Sequence, residues 1–234
     1  MSYHLEPIGV MHSCFKEKFG IPSQAGLASV ARGWIEFYDP YDREEAFLGL
    51  EDYSHVWLIF LFHHSLKNEI GLTVQPPRRE GEKYGLFATR SPNRPNQIGQ
   101  SVVAIDHIER QDKRVRLHVK GADLVEGTPI LDVKPYVPYV DAIPDAKGGF
   151  AHNAPKIRFT VQWSEQAEQE LGDYAADYPD LRQLIIEVLQ YDPRPLYYRK
   201  GFDKKRFGVT LYDLNVLFDV LSDERVCVAG IEPR

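Results

Sequence analysis

What most constrains this chain is a succession of short apolar runs, each broken by turn residues, with no long helical stripe between them. Val56 to Phe62 is continuously apolar, β-branched and aromatic, the pattern of a strand covered on both faces. Val102 to Ile108, Val115 to Val119 and Ile130 to Val133 follow, separated by turns. Val115, Leu117 and Val119 alternate with Arg116 and His118, as in a half-buried strand. Leu5 to Met11 reads as a first strand, placed near an edge by Pro7, and Val30 to Phe37 as a second. Asp42 to Leu48 suits one or two helical turns ended by Gly49. Strands in series without crossover helices predict an antiparallel barrel or sandwich.

The pattern changes after Pro135. The stretch to Pro155 collects Pro138, Pro144, Gly148 and Gly149 and reads as a linker. Beyond it, Ile157 to Trp163 alternates as a strand, and Ser164 is placed to cap a helix. A second helix is predicted over Leu181 to Gln190 with Asp180 as its cap. Leu181, Leu184, Ile185, Val188 and Leu189 form a one-sided stripe that Asp192-Pro193 stops. Phe207 to Leu211, Val216 to Leu221 and Val226 to Ile231 read as closing strands. The expected organisation is a mainly β domain over 1–146 and a smaller α+β domain over 147–234.

Composition narrows the functional classes. Cys14 and Cys227 stand far apart with no ligand spacing around them, which argues against a zinc site or disulfide framework and for a reducing cytoplasm. No apolar run reaches membrane-spanning length, and the start lacks the form of a signal peptide. The net charge of −6 excludes a general nucleic-acid coat. The basic charge is local: Arg194, Arg199, Lys200, Lys204, Lys205 and Arg206 stand against Asp203 alone, with Tyr197 and Tyr198 interleaved. Such a strip suits phosphate contact plus stacking on unpaired bases, or a solvated loop whose tyrosines pack on their own domain.

The most informative stretch is Gly85 to Ser101. Leu86 to Ala88 opens as a short strand, and then Arg90 and Arg94 stand among Pro92, Asn93, Pro95 and Asn96. Prolines fix φ and withhold donors, so a stiff loop presents two guanidinium forks and two amides. A surface turn is the plainer alternative; length and flanking strands favour a ligand-binding loop on a β scaffold.

This segment resembles the signature of the TrmO family (TsaA-like or YaeB-like), close to FATRS-x-x-RPNPIG-x-S. Supporting matches include Ser54-His55-Val56-Trp57, Phe60-Leu61-Phe62-His63, Val74-Gln75-Pro76-Pro77-Arg78, Asp123 to Pro129, Asp192-Pro193-Arg194-Pro195 and the ending Glu232-Pro233-Arg234. Coverage is nearly the whole chain. The resemblance implies a small β-barrel acting as a homodimer, in place of a Rossmann-like methyltransferase sheet. It implies S-adenosylmethionine-dependent methylation at N6 of threonylcarbamoyladenosine, 3′ of the tRNA anticodon. The donor contacts it implies fall on Pro22, Ser23, Gln24, His63, His64, Arg90, Gln100, Asp123, Leu124, Val125 and Glu126. With it, the strip from Arg194 to Arg206 reads as a contact for the anticodon arm. The chain departs from the pattern at Gln97 (usually proline), Glu126 (usually aspartate) and Ser23 (often arginine).

No G-x-G-x-x-G follows a strand, so a Rossmann-type donor site is not expected. Taken alone, Asp123 to Pro129 is a turn with two carboxylates. His63 and His64, adjacent on a strand, would face opposite ways, and no metal is expected. Cys14 reads as a small buried thiol rather than a nucleophile. For the methyl transfer that the resemblance implies, the lack of a visible nucleophile or metal cluster leads to the expectation of a direct in-line step, with Arg90, Arg94 and Asn96 as candidates to grip the substrate; the residues do not identify the base. A non-catalytic RNA- or nucleotide-binding barrel is the alternative. A hydrolase using His63 or His55 with a carboxylate is a third reading.

Overall fold

The structure, a computed structural model, describes residues 3–65, 70–79, 81–199 and 206–234. Its contacts divide it into two compact units. The first comprises Met1–His12, Trp34–Val119 and Gly127–Pro155; the second comprises Ser13–Gly33, Lys120–Glu126 and Lys156–Arg234. The stretch from Pro135 to Pro155 falls within the first unit. Segments 13–33 and 120–126 belong with the C-terminal residues.

Among the described residues, six strands close into a barrel: β1 (Gly9–Ser13), β2 (Arg32–Phe37), β3 (His55–Leu61), β6 (Ile98–Gln111), β7 (Arg114–Lys120) and β8 (Thr128–Pro135), in the order β1-β2-β7-β6-β3-β8. β4 (Thr73–Val74) and β5 (Tyr84–Gly85) form a separate two-stranded ribbon. β3 lies antiparallel to both β6 and β8, with Leu58 opposite Ser101 and Val133. Alternation fills the interior: Met11, Ile35, Val56, Leu58, Phe60, Val103, Val115, Leu117 and Ile130 are buried.

Four expectations change here. β3 is not covered equally on both faces: Val56, Leu58 and Phe60 are buried, while Trp57, Ile59 and Leu61 are half-buried. Closure removes the edge expected for the first strand, and Pro7 simply precedes it. At that closure a Cβ on Gly9 would lie 2.5 Å from the Glu36 carbonyl oxygen, so only glycine permits the approach of β1 to β2. The apolar Leu86–Ala88 is a 3₁₀ turn, not a strand. The predicted turn over Asp42 to Leu48 is likewise 3₁₀, over Glu44–Phe47.

The second unit carries a four-stranded sheet in the order β10-β11-β12-β9, from β9 (Thr160–Trp163), β10 (Arg206–Leu211), β11 (Leu214–Ser222) and β12 (Arg225–Pro233). β9 joins β12 in parallel and the other pairs are antiparallel. Its helices are α2 (Glu165–Tyr174), α3 (Leu181–Leu189) and the short α4 (Leu196–Arg199), whereas the short α1 (Pro138–Asp141) belongs to the first unit. The Ser164 hydroxyl accepts from the Ala167 N–H, as its spacing predicts. Asp180 precedes α3 but makes no side-chain cap; its carboxylate instead accepts Nε and Nη2 of Arg32, at 2.8 and 2.6 Å. The predicted stripe of α3 is buried together with Phe15, Phe159, Val209, Val216 and Phe218.

Candidate active site

The signature loop of the first unit is held by its own side chains. Leu86 is buried and receives no strand partner; its N–H donates to the Leu72 carbonyl at 2.9 Å. The N–H and hydroxyl of Thr89 both donate to the Leu86 carbonyl, at 3.2 and 2.9 Å. That closure turns Phe87 outward, 81 % exposed. Arg94 Nη1 donates to the Thr89 carbonyl at 2.7 Å, and Gln97 N–H to the Arg94 carbonyl at 3.2 Å. Arg90 and Asn96 are exposed and Arg94 half-buried. Gln97 adopts φ +51, a conformation closed to the proline usual in resembling chains.

The loop then enters β6 beside the end of β3. Phe62 N–H donates to the Gln97 carbonyl at 2.8 Å, and Gln97 Nε2 to the Ser65 carbonyl at 3.2 Å. The two segments are thus tied at the point where His63 and His64 stand. These histidines lie in a turn past the strand, so strand alternation does not apply. Their rings face each other at 4.0 Å, tilted by 39°, which corrects the opposite-face expectation. Gly99 admits the edge-to-face pair Phe60 and Phe62, at 5.2 Å, and Gln100 is exposed on the next outward position of β6. Among the described residues, no group of three or more His, Cys, Asp or Glu could hold a metal ion.

In the second unit, Pro22, Ser23 and Gln24 precede a segment joined to Gly121 by the bond from Gly26 N–H to the Gly121 carbonyl, at 2.8 Å. Asp123, Leu124, Val125 and Glu126 follow Gly121. Leu124 is buried, and Asp123 and Val125 are half-buried. The Glu126 carboxylate accepts the Ser13 N–H at 2.6 Å and Lys16 Nζ at 2.9 Å, so it braces its own segment. Burial pushes the Cys14 thiol up to about 12, which keeps it protonated and unreactive near neutrality. His55 Nδ1 lies 2.8 Å from the Ser54 hydroxyl, and no carboxylate serves it among the described hydrogen bonds.

The basic strip divides. Lys200, Lys204 and Lys205 lie outside the described residues, as does the side chain of Tyr197. Arg194 is buried against Asp192. Tyr198 packs edge-to-face on Phe207 at 5.5 Å, in line with the packed-tyrosine alternative. Arg206 forms a bidentate pair with Asp219 at 2.8 and 2.7 Å. Sequence reasoning gave Asp192 and Arg158 no role of their own: Asp192-Pro193 read as a helix stop and as part of the family match, and Arg158 stands apart from the strip.

Comparison with known proteins places this geometry. The model of the tRNA-methyltransferase O N-terminal domain matches residues 10–142, and that of the TrmO C-terminal domain residues 156–234. An Escherichia coli K12 protein named tRNA (adenine(37)-N6)-methyltransferase is 41% identical over 235 residues, covering 100% of this chain and 99% of its own. A Pseudomonas aeruginosa protein named provisionally as an S-adenosylmethionine-dependent methyltransferase is 47% identical over 218 residues, 92% of either chain. A crystal structure of TrmO from Pseudomonas aeruginosa superposes with a TM-score of 0.84 at 40% identity, covering 99% of both chains. With both parts of the sequence matched and its whole length aligned to such relatives, the chain belongs to the tRNA-methyltransferase O (TrmO) family.

Proposed function

We propose that this protein transfers a methyl group from S-adenosylmethionine to N6 of adenine 37 in tRNA, acting on threonylcarbamoyladenosine at that position. The observation that carries the reading is the full-length match to the Escherichia coli tRNA (adenine(37)-N6)-methyltransferase. S-adenosylmethionine, when bound, supplies an electrophilic methyl group on a sulfonium. The residue types suit such a donor: the exposed amide of Gln100, the facing rings of His63 and His64, and the carboxylate of Asp123 each match one of its groups. Pro22, Ser23, Gln24, Leu124 and Val125 complete the candidate donor set, with Glu126 bracing its segment. Arg90 and Asn96 present donors to the acidic substrate, while Arg94 fixes the loop that carries them. The protein acts chiefly by positioning the reactants. Assembly as a homodimer in the cytoplasm belongs to the same reading. No helix among the described residues is long and apolar enough to cross a membrane.

The test is transfer of labelled methyl to two batches of one tRNA, carrying threonylcarbamoyladenosine or plain adenosine beside the anticodon. Label on the first alone, mapped to that nucleoside, is expected. Label on both removes the requirement for the threonylcarbamoyl group. Failure to bind S-adenosylmethionine overturns the reading in favour of a plain RNA-binding barrel.

A further inference from the structure

Among the buried residues of α3, Leu181, Leu184, Ile185, Val188 and Leu189 are apolar and Glu187 is not, yet it is only 8% exposed. A carboxylate taken out of water needs donors. Glu187 finds two of them on the segment 13–33 of the same unit. Its Oε1 accepts the Ser29 hydroxyl at 2.7 Å and its Oε2 the Val30 N–H at 3.2 Å. Gln183 Nε2, one turn back on α3, donates to Oε1 at 3.1 Å. Asp180, just before α3, holds Arg32 of the same segment. The contacts continue from there. The Ala31 carbonyl accepts the Gly121 N–H at 2.9 Å, and the Gly121 carbonyl accepts the Gly26 N–H at 2.8 Å. Gly26 lies two residues past Gln24, and Gly121 two residues before Asp123. On the other side of Pro22 to Gln24, a Cβ on Gly20 would collide with the Val209 side chain of β10, so the chain is pressed against the sheet there too. Glu17 accepts the Thr210 hydroxyl at 2.9 Å.

An apolar residue at position 187 would fill the same space, but apolar contact is non-directional and leaves the 28–31 turn free to slide. Hydrogen bonds from both carboxylate oxygens fix its position and its angle. We propose that Glu187 is a positioning residue for the methyl donor. Through Ser29 and Val30 it sets the turn that carries Ala31; through Ala31 and Gly121 it sets the places of Pro22 to Gln24 and of Asp123 to Val125. The proposal rests on the donor reading above and deepens it, because it gives α3 a part in binding S-adenosylmethionine. Every bond in this series lies within the protein and precedes the chemistry, so its effect falls on donor affinity and not on the transfer step. Spacing in the sequence hides the role, since Glu187 and Ser29 stand 158 positions apart.

The test compares Glu187→Ala, Glu187→Gln and Ser29→Ala with the wild type, all as the full chain. Calorimetry reads the affinity for S-adenosylmethionine, and amide hydrogen exchange of the donor-free protein reads residues 20–31. Glu187→Ala is expected to weaken donor binding roughly tenfold, the scale on which a lost buried acceptor moves an equilibrium. Exchange should quicken over 20–31 while β10 and β11 keep their protection. In turnover, KM for the donor should rise by the same factor, with kcat held within about twofold. Glu187→Gln keeps an acceptor for the Val30 N–H and a donor for the Ser29 hydroxyl, and should restore affinity to within about threefold of the wild type. Equal losses in the alanine and glutamine variants, or early melting with unchanged donor affinity, overturn the proposal. Where Glu187→Ala does not fold, Ser29→Ala takes its place: about threefold weaker binding supports the proposal and unchanged affinity overturns it. Quickened exchange with wild-type donor affinity sinks this proposal alone. A wild type that does not bind S-adenosylmethionine sinks the function proposed above as well.

Discussion

Arg94 Nη1 donates to the carbonyl oxygen of Thr89 at 2.7 Å, so this half-buried arginine holds its own loop. Arg90, four residues earlier, is exposed. The two are therefore expected to fail differently. Arg94→Ala should cost about 1–2 kcal/mol, the scale of a charge-assisted hydrogen bond at a half-exposed position. That lowers the melting temperature by about 2–8 °C in a chain of this size, and methyl transfer falls with it. Arg90→Ala, at an exposed position, should shift melting less than Arg94→Ala while lowering transfer. Equal melting shifts in the two variants would refute the division of roles.

Gly99 is a second point of control. A Cβ there would lie 2.4 and 2.5 Å from Phe60 ring atoms and 2.8 Å from Phe62. Both rings must move if Gly99 becomes alanine, where the loop enters β6. Gly99→Ala is expected to destabilise by about 1–3 kcal/mol, the usual cost of overpacking. Phe60→Leu in the same chain should relieve part of that loss, so the double variant should be more stable than the sum of the singles predicts. Strict additivity in denaturant melts would show that the ring clash is not the cause.

Asp141 gives the fold a specific acid sensitivity. The Val137 N–H, at 2.8 Å, and the Trp57 indole N–H, at 3.0 Å, hold its carboxyl below the usual range. A depressed folded value contributes stability above the unfolded carboxyl pKa, and that contribution is lost as pH falls through the folded value. Melting temperature should therefore decline below about pH 4, and Asp141→Asn should be less stable at neutral pH with a shallower acid decline. Parallel acid limbs in the two proteins would rule out this contribution.

Local patterns made much of the fold legible. The burial of Leu181, Leu184, Ile185, Val188 and Leu189 follows their helical spacing, and the Ser164 cap needs only its own turn. Asp180 reads equally well as a cap, but Arg32, 148 positions away, takes its carboxylate. Leu86 to Ala88 has strand-like residues, yet a tight turn wins because Leu86 alone is buried. His63 and His64 were expected to alternate because the end of β3 cannot be fixed to a residue from apolar pattern. The candidate site was legible as a signature and a set of residue types. Which arginine fixes the loop, and which carboxylate braces a segment, depended on hydrogen bonds that sequence spacing does not encode.

The grouping of residues 13–33 with 156–234 has a consequence for how the protein is made. Phe15, Ala28 and Ala31 leave the ribosome early, yet the core that covers them includes Val226, Val228 and Ile231 of β12, which emerge last. β12 lies inside its sheet, between β11 and β9. The second unit cannot close during translation until that strand arrives, whereas the residues of the first have all emerged by Pro155. The apolar side chains of segment 13–33 therefore stay without the cover of β12 until that strand has been made.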